Sequence, residues 1–423
     1  MRRVWIDVTD FLNWQGNFTG LQRIQYNIAK SYLASNHTVK FFVYNESGHT
    51  FLEVPFDPDV VAKDGIIEVA KNSGSEVSPS LLTRITCYSK RRFPRAWNFL
   101  RHSGVKSVIK ERAGSLHQVK GPFGENDNVI VLGGIWFGDF MADIAKLKRS
   151  QKFKFFHFIH DMIPVITPGY VVEGLPESFS AYKRRVFQIS DGIIANSQST
   201  LGDAREFMKQ ESIKEPPSVV VKIGEDLSSA SHAKSDPGLQ KRIGGEFILC
   251  VGTVEGRKNH SALLYVLKEA KLRGVKIPKI VIAGRVGWLT QDLLYTLKHD
   301  IDAKKNIIFV EGPTDSELSW LYRNCRFTIY PSFYEGWGMP VAESLAYGKL
   351  CLATNQSSVP EIAGDIIDYY SPYDTGEILE TILKYMDDGL LRRKERHIKK
   401  LYKPAGWQAM YENIEAFIAD QSA

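Results

Sequence analysis

The segment Tyr330-Pro-Ser-Phe-Tyr-Glu335-Gly-Trp-Gly-Met-Pro340-Val-Ala-Glu343-Ser-Leu-Ala-Tyr-Gly348 joins two apolar runs, 326–330 and 350–353. The first run reads as a strand ending at Tyr330, and the loop after it carries Glu335 and two glycines. Pro340 sits where the first turn of a helix accepts a residue without an N–H. Strand, loop, helix and strand in that order make a unit of a parallel sheet. A helix starting at such a loop turns unpaired N–H groups and the positive end of its dipole toward the strand's carboxyl edge, a setting that suits a phosphate or a sugar oxygen. Glu335 and Glu343 are eight residues apart, so one is expected to project from the loop and the other from the first helical turn.

The same alternation extends in both directions. Strands are expected over 4–8, 39–44, 129–132, 153–159, 192–195 and 218–223, and again over 247–251, 279–283, 306–310, 326–330, 350–353 and 367–370. Segments of helical period separate them, which favours an α/β architecture. The stretch 226–238 is polar, rich in breakers and without hydrophobic period. It divides the chain into an N-terminal domain (1–228), a linker (229–244), a second doubly wound domain (245–404) and a final segment (405–423) with Trp407, Met410, Ile414 and Phe417 at helical spacing. Two such domains would bring the carboxyl ends of their sheets face to face.

Composition narrows the function classes. The 423 residues carry 54 Lys+Arg against 48 Asp+Glu, a formal net charge of +6, which is too small to imply a nucleic-acid partner. The longest uncharged, mostly apolar stretch, 129–138, falls short of the ~20 residues a membrane span needs. Met1-Arg2-Arg3 resembles the start of a signal peptide, but Asp7 and Asp10 interrupt any apolar core, so a cytoplasmic protein is expected. Cys87, Cys250, Cys325 and Cys351 are far apart and read as buried, reduced thiols.

A second constellation is Cys250-Val-Gly-Thr253-Val-Glu-Gly-Arg257-Lys258-Asn259-His260, again between a strand and a helix. Arg can grip a diphosphate with two parallel bonds and Lys supplies a point charge, both on what reads as an exposed cleft edge. In His157-Phe-Ile-His160-Asp161, alternation along a strand sends the two histidines to opposite faces, which disfavours a metal site. His157 reads as a core residue, whereas His160 ends the strand at the expected catalytic edge. Asp57-Pro-Asp59 is a formal D-x-D but lies outside the strand–helix pattern, so no metal is expected.

These motifs resemble those of the retaining GT-B glycosyltransferases of glycosyltransferase family 4. Gly252-Thr-x-Glu-x-Arg-Lys-Asn259, Gly284-Arg285-x-Gly-Trp288 and the Glu335-x7-Glu343 pair are similar to the bacterial mannosyl- and rhamnosyltransferase branch, over about 247–365. The resemblance implies two Rossmann-like domains facing each other across a cleft, the N-terminal one (1–228) on the acceptor side and the C-terminal one (245–404) holding the sugar nucleotide, with a C-terminal helix crossing back to the N-terminal domain. By position, Arg257 and Lys258 match the diphosphate-binding pair, and Thr253, Asn259 and Arg285 belong to the same donor-side motifs. Glu335 matches the acid on the donor sugar, Gly336, Trp337 and Gly338 the backbone donors beside it, and Glu343 the acid on the ribose. Val310 and Glu311 match the end of a strand lining the base pocket. Gly20, in Asn17-Phe-Thr-Gly20-Leu-Gln-Arg23, matches a loop that closes on the phosphates, and His160 a histidine that approaches the donor sugar.

The resemblance implies retaining hexosyl transfer from a sugar nucleotide, with GDP-mannose the first choice and dTDP-rhamnose or a UDP-hexose behind it. The acceptor would be a glycan or lipid-linked glycan of a surface polysaccharide such as O-antigen, with no cofactor and no metal. A catalytically silent GT-B module binding a glycan or partner is the reading from another class. Between 84 and 112 the sequence places nine basic residues against one acid, interleaved with Tyr88, Phe93, Trp97, Phe99 and Leu100. That mixture suits docking of a peripheral protein on an anionic membrane surface, at the inner face.

Overall fold

The computed structural model describes residues 3–13, 18–59, 119–135, 138–225 and 237–422. In the N-terminal half, β1 (Arg3–Asp7), β2 (Thr38–Asn45), β3 (Thr50–Val54), β4 (Asn128–Val131), β5 (Lys154–Ile159), β6 (Gly192–Ala195) and β7 (Ser218–Val220) form one sheet in the order β3-β2-β1-β4-β5-β6-β7. Every pairing is parallel except β2 with β3. In the C-terminal half, β8 (Phe247–Val251), β9 (Lys279–Gly284), β10 (Ile307–Glu311), β11 (Thr328–Tyr330), β12 (Cys351–Thr354) and β13 (Tyr369–Tyr370) form a second sheet, order β10-β9-β8-β11-β12-β13. It is parallel throughout. The strand order reverses next to β1 in one sheet and β8 in the other, and open α/β sheets bind ligands outside the carboxyl ends at such switch points.

Each sheet is apolar on both faces, because helices cover both. Val4, Ile6, Ile130, Phe156 and Ile194 enter one cluster, and their strand neighbours Trp5, Val129, Phe155 and Ile193 enter the other. The C-terminal sheet divides likewise, with Ile248, Cys250 and Ile282 on one face and Phe247, Leu249 and Val281 on the other. Helix Trp407–Ser422 carries Met410, Tyr411, Ile414 and Ile418 into the N-terminal cluster, where Tyr411 meets Tyr32 edge-on at 4.9 Å. The chain therefore crosses back to the N-terminal domain. At the crossing, a Cβ on Gly224 would lie 2.4 Å from the Trp407 ring, so only glycine fits there.

Each expected strand has a counterpart, and the structure adds one. The edge strand β3 follows a tight turn at Glu46–Gly48, with His49 at φ 49° closing the hairpin. Its exposed Glu53, paired with Lys40 at 2.6 Å, hid the apolar pattern. Within the expected linker, 237–243 is helical, and Leu239 and Ile243 join the cluster of Phe247 and Leu249. Cys250, Cys325 and Cys351 are buried free thiols, and burial pushes each up to about 12. Cys87 and the basic stretch 84–112 lie outside the described residues. Among the described residues, no helix is long and apolar enough to cross a membrane.

Candidate active site

The carboxyl ends of β8 and β11 bring the two sequence motifs together. After β8 the chain turns at Gly252, with φ 148°, passes exposed Thr253 and forms a short 3-10 turn over Gly256–Lys258. Asn259 closes that turn in the left-handed region, φ 54°, and its Nδ2 donates to the Pro372 carbonyl at 2.9 Å, before helix Ser261–Leu272 begins. Gly284 at the end of β9 packs against this turn: a Cβ there would lie 1.9 Å from the Gly252 oxygen. Arg285 follows and is half-buried.

The loop after β11 delivers Glu335 to the same place. Its Oε1 accepts from Ser332 Oγ at 2.6 Å, Tyr330 Oη at 2.8 Å and Lys258 Nζ at 2.6 Å, and Arg257 Nη1 lies 2.8 Å away. Arg257 is held further by Glu255 at 2.6 Å and by the Tyr334 carbonyl. Lys258 Nζ also donates to Tyr330 Oη at 2.6 Å. The expectation that Arg257 and Lys258 stand on an exposed edge is corrected: Arg257 is 8% exposed, and the Lys258 side chain 13%. Buried charges require partners close by, and here two cations share Glu335 while Arg257 also takes Glu255. Burial alone would raise the Glu335 carboxyl, but Arg257, Lys258 and the Ser332 bond pull it down to about 2. Burial lowers Lys258 despite Glu335, whereas the two acids override burial and raise Arg257.

Helix Met339–Ala346 starts at Gly338, φ 110°, with Pro340 in its first turn. Glu343 therefore sits in the second turn rather than the first. Its Oε2 accepts from Tyr322 Oη at 2.7 Å, and its Oε1 pairs with Arg23 of the N-terminal domain at 2.9 Å. Gly20, at the start of the helix bearing Arg23, packs on Met339, whose Sδ would lie 2.5 Å from a Cβ. At the end of β10, Val310 is buried and Glu311 exposed, and both line a cavity of about 450 Å³ with Arg242, Phe309 and Glu317.

The same loop forms the joint between the domains. Gly336 lies on the backbone of His160, where a Cβ would come within 2.1 Å of the His160 oxygen. The Gly336 carbonyl accepts from Ser197 Oγ at 2.7 Å and Thr200 Oγ1 at 3.1 Å. Trp337, 5% exposed, enters the N-terminal apolar cluster. Glu361 accepts from the backbone N–H groups of Gln198 and Ser199, both at 2.7 Å, at the start of helix Gln198–Gln210. The imidazole of His160 bonds the Leu132 carbonyl at 2.7 Å through Nε2; a carbonyl only accepts, so Nε2 carries the proton. Burial, only partly countered by that bond and Asp161, lowers His160 to about 4 and keeps it neutral. Asp161 holds the turn by accepting from Ile163 N at 3.0 Å.

The structure thus joins Arg257, Lys258 and Glu335 in one network, and sets His160, Gly336 and Trp337 at the joint beside it. Glu343 with Gly20, and Val310 with Glu311, occupy separate positions along the same edges. Ser332, Glu255, Tyr322 and Arg23 were not assigned from sequence; Ser332 and Glu255 lie inside the quoted motifs, and their spacing from the charged residues was the available signal. Asp59 of the D-x-D accepts from Tyr26 and from Lys30, the latter at 3.1 Å.

Comparison with known proteins agrees with this fold. Residues 233–403 match the family model described as Glycosyl transferases group 1. The chain is 27% identical over 265 residues to the serotype-specific mannosyltransferase WbdA of Escherichia coli, covering 60% of this chain and 32% of the relative. It is 31% identical over 165 residues to the O-antigen chain mannosyltransferase B of Escherichia coli, covering 38% and 43%. The chain thus spans about a third of the first relative's length and less than half of the second's. Among solved structures, Anabaena Alr3699/HepE in complex with UDP-glucose aligns with a TM-score of 0.63 at 12% identity, over 99% of this chain and 100% of that one. Sucrose-phosphate synthase from Thermosynechococcus elongatus gives 0.62 at 13%, over 99% of each. The two facing sheets are a GT-B fold, and residues 233–403 within it carry a glycosyl transferases group 1 domain.

Proposed function

We propose that this chain is a retaining, metal-independent hexosyltransferase that moves mannose from GDP-mannose to a glycan or lipid-linked glycan in surface polysaccharide assembly. The observation that carries the reading is the buried Arg257–Lys258–Glu335 network at the carboxyl ends of β8 and β11. Two cations in a water-poor site are the equipment for a leaving diphosphate, on which negative charge grows as the glycosidic bond breaks. On donor binding they turn from Glu335 to the phosphate, and Glu335 takes hydroxyls of the sugar. Glu335 is a poor nucleophile, since its pKa near 2 leaves little basicity, which favours attack by the acceptor on the face the diphosphate leaves, with that phosphate taking the acceptor proton. Neutral His160 adds no charge beside the sugar. The mannosyltransferase relatives support the choice of sugar.

The test is transfer from labelled GDP-mannose, dTDP-rhamnose and UDP-glucose to a mannoside acceptor, with product anomer read by NMR and excess EDTA present. Mannosyl transfer with an α product is expected. Loss of activity in EDTA restored by Mn²⁺ would overturn metal independence, and absence of both transfer and donor hydrolysis would favour a silent module. Docking through 84–112 is expected to give co-sedimentation with anionic but not neutral liposomes, weakened by salt; binding indifferent to both would refute it.

A further inference from the structure

We propose that Tyr334 and Asp203 are positioning residues that hold the Arg257 guanidinium in line only while the two domains are together. The inference deepens the glycosyl-transfer reading and rests on it, since it concerns the cation assigned there to the leaving diphosphate. Tyr334 is divided between the domains. Its backbone belongs to the C-terminal site, where the carbonyl accepts from Arg257 Nη1 and, at 3.2 Å, from Ser332 Oγ. Its side chain belongs to the N-terminal domain. The ring packs against the cluster of Ile163, Val171 and Leu175, and Oη donates to Asp203 of helix Gln198–Gln210, lying 2.9 and 2.8 Å from the two carboxylate oxygens. Ser199, one turn earlier on that helix, bonds the same hydroxyl.

The preceding residue repeats the pattern. The Phe333 N–H donates to the Arg257 carbonyl at 2.9 Å, while the Phe333 ring stacks on Tyr170 of the N-terminal domain, with centroids 4.9 Å apart and planes 16° apart. Tyr170 in turn lies over the cation-bearing turn: a Cβ on Gly256 would sit 3.7 Å from its Cδ1, and its carbonyl accepts from Trp288 Nε1 at 3.1 Å. Arg257 is thus clasped at its guanidinium and at its carbonyl by two residues whose side chains are anchored in the other domain.

The partners of Arg257 decide what this anchoring does. They are Glu255, Glu335 and the Tyr334 carbonyl. Glu255 lies two residues away and moves with the same turn. On donor binding Arg257 turns from Glu335 to the phosphate, so the Tyr334 carbonyl is left to aim it. A phenol seated on Asp203 sets the place of that carbonyl, and parting of the domains removes both the acid and the apolar pad. Asp203 depends on the contact as well. It has no ion-pair partner among the described residues, burial raises its carboxyl, and the Tyr334 bond is what pulls the other way. The leaving group is then fully assisted only in the closed form, from which water is expelled.

Hydrogen exchange on the free chain and donor kinetics test the assignment together. Asp203→Ala, made in the N-terminal domain, is expected to speed exchange about threefold or more in the C-terminal turn 256–259 and at Phe333. Tyr334→Phe, which keeps the ring packed, is expected to do the same and decides the matter should Asp203→Ala fold poorly. Each is expected to lower kcat for sugar transfer about tenfold with the donor KM within about twofold of wild type. The double variant should be no slower than Tyr334→Phe alone. Asp203→Asn, whose amide oxygen still accepts from the phenol, should keep most of the turnover. Unchanged exchange at 256–259, losses that multiply in the double variant, a loss in Asp203→Asn equal to that in Asp203→Ala, or a lower melting temperature with kcat preserved would each overturn the assignment. A wild type with neither transfer nor donor hydrolysis would instead fell the glycosyl-transfer reading, and exchange would still decide whether Tyr334 and Asp203 hold Arg257.

Discussion

Glu335 and Asp10 stand on the facing edges of two similarly built sheets, yet they are held in opposite electrostatic states. Burial pushes on both. At Glu335 two cations win and bring the carboxyl to about 2. At Asp10 only the Gly134 N–H resists, and burial raises it to about 6; Asp7 behind it rises to about 7. One topology thus serves two kinds of chemistry. The C-terminal edge holds buried cations against their acids, and the N-terminal edge holds carboxyls without an ion-pair partner among the described residues. The strand order brings both edges to the cleft, and only the loop residues differ.

The largest effect expected on this contrast is from removing the cations. Arg257→Ala and Lys258→Ala should each lower transfer about 10²–10³-fold, the cost of one donor to a developing anion. Arg257→Ala should also cost roughly 3–5 kcal/mol of stability, because Glu255 and Glu335 remain buried without it. Turnover and calorimetric melting measure the two effects. Turnover within about threefold of wild type in both variants, under 1 kcal/mol of barrier, would end the diphosphate assignment. Glu335→Gln should follow, lowering turnover more than GDP affinity, and an equal loss of both would place Glu335 on the nucleotide instead.

The pH dependence of stability sharpens the comparison with opposite signs. Glu335, lowered from 4.5, favours the fold at neutral pH, and that contribution is lost as pH falls through about 2. Asp10, raised from 3.8, contributes fully below its unfolded value, and the contribution is lost as pH rises through about 6. His160, lowered from 6.5 to about 4, opposes Asp10 within the same half, so each titration is best read as variant minus wild type. The melting difference for Asp10→Asn should become more positive from about pH 4 to 7. That for Glu335→Gln should shrink as pH falls below about 5. Flat differences would show that the two carboxyls share one environment.

The smallest effect concerns Arg23. Its pair with Glu343 is partly exposed and is worth on the order of 0.2–1 kcal/mol. The resemblance puts Glu343 on the donor ribose, and on that reading Arg23 competes for it in the free chain. Arg23→Gln should therefore tighten GDP binding by about two- to threefold, read by calorimetry; weaker binding would make Arg23 a donor ligand itself.

What the sequence showed was local, and what it hid was not. Arg257-Lys258-Asn259 and Tyr330 to Gly348 each form a strand end, a loop and a helix start within twenty residues or fewer, so type and spacing sufficed to put them on one edge. Their burial could not be read that way, because Arg257 is covered by Tyr334 and Glu335, far along the chain. Glu343 likewise finds Arg23 across 320 positions. Asp7 and Asp10 were legible only as breaks in an apolar N-terminus. The surroundings of Asp10 depend on Gly133, which follows β4 beside β1, and on Gln25 of helix Gly20–Leu33. Edge strand β3 escaped notice because it is antiparallel and carries Glu53 outward.

Glu361 gives the domain joint a particular mechanical character. It caps two N–H groups at the start of a helix in the other domain, a position where the dipole favours a carboxylate. When the domains part, water replaces each half of that contact, so separation leaves no stranded buried charge. Such a contact can release and re-form with little energetic penalty, and its two N–H···O bonds, made to adjacent backbone groups, favour one alignment of the two edges.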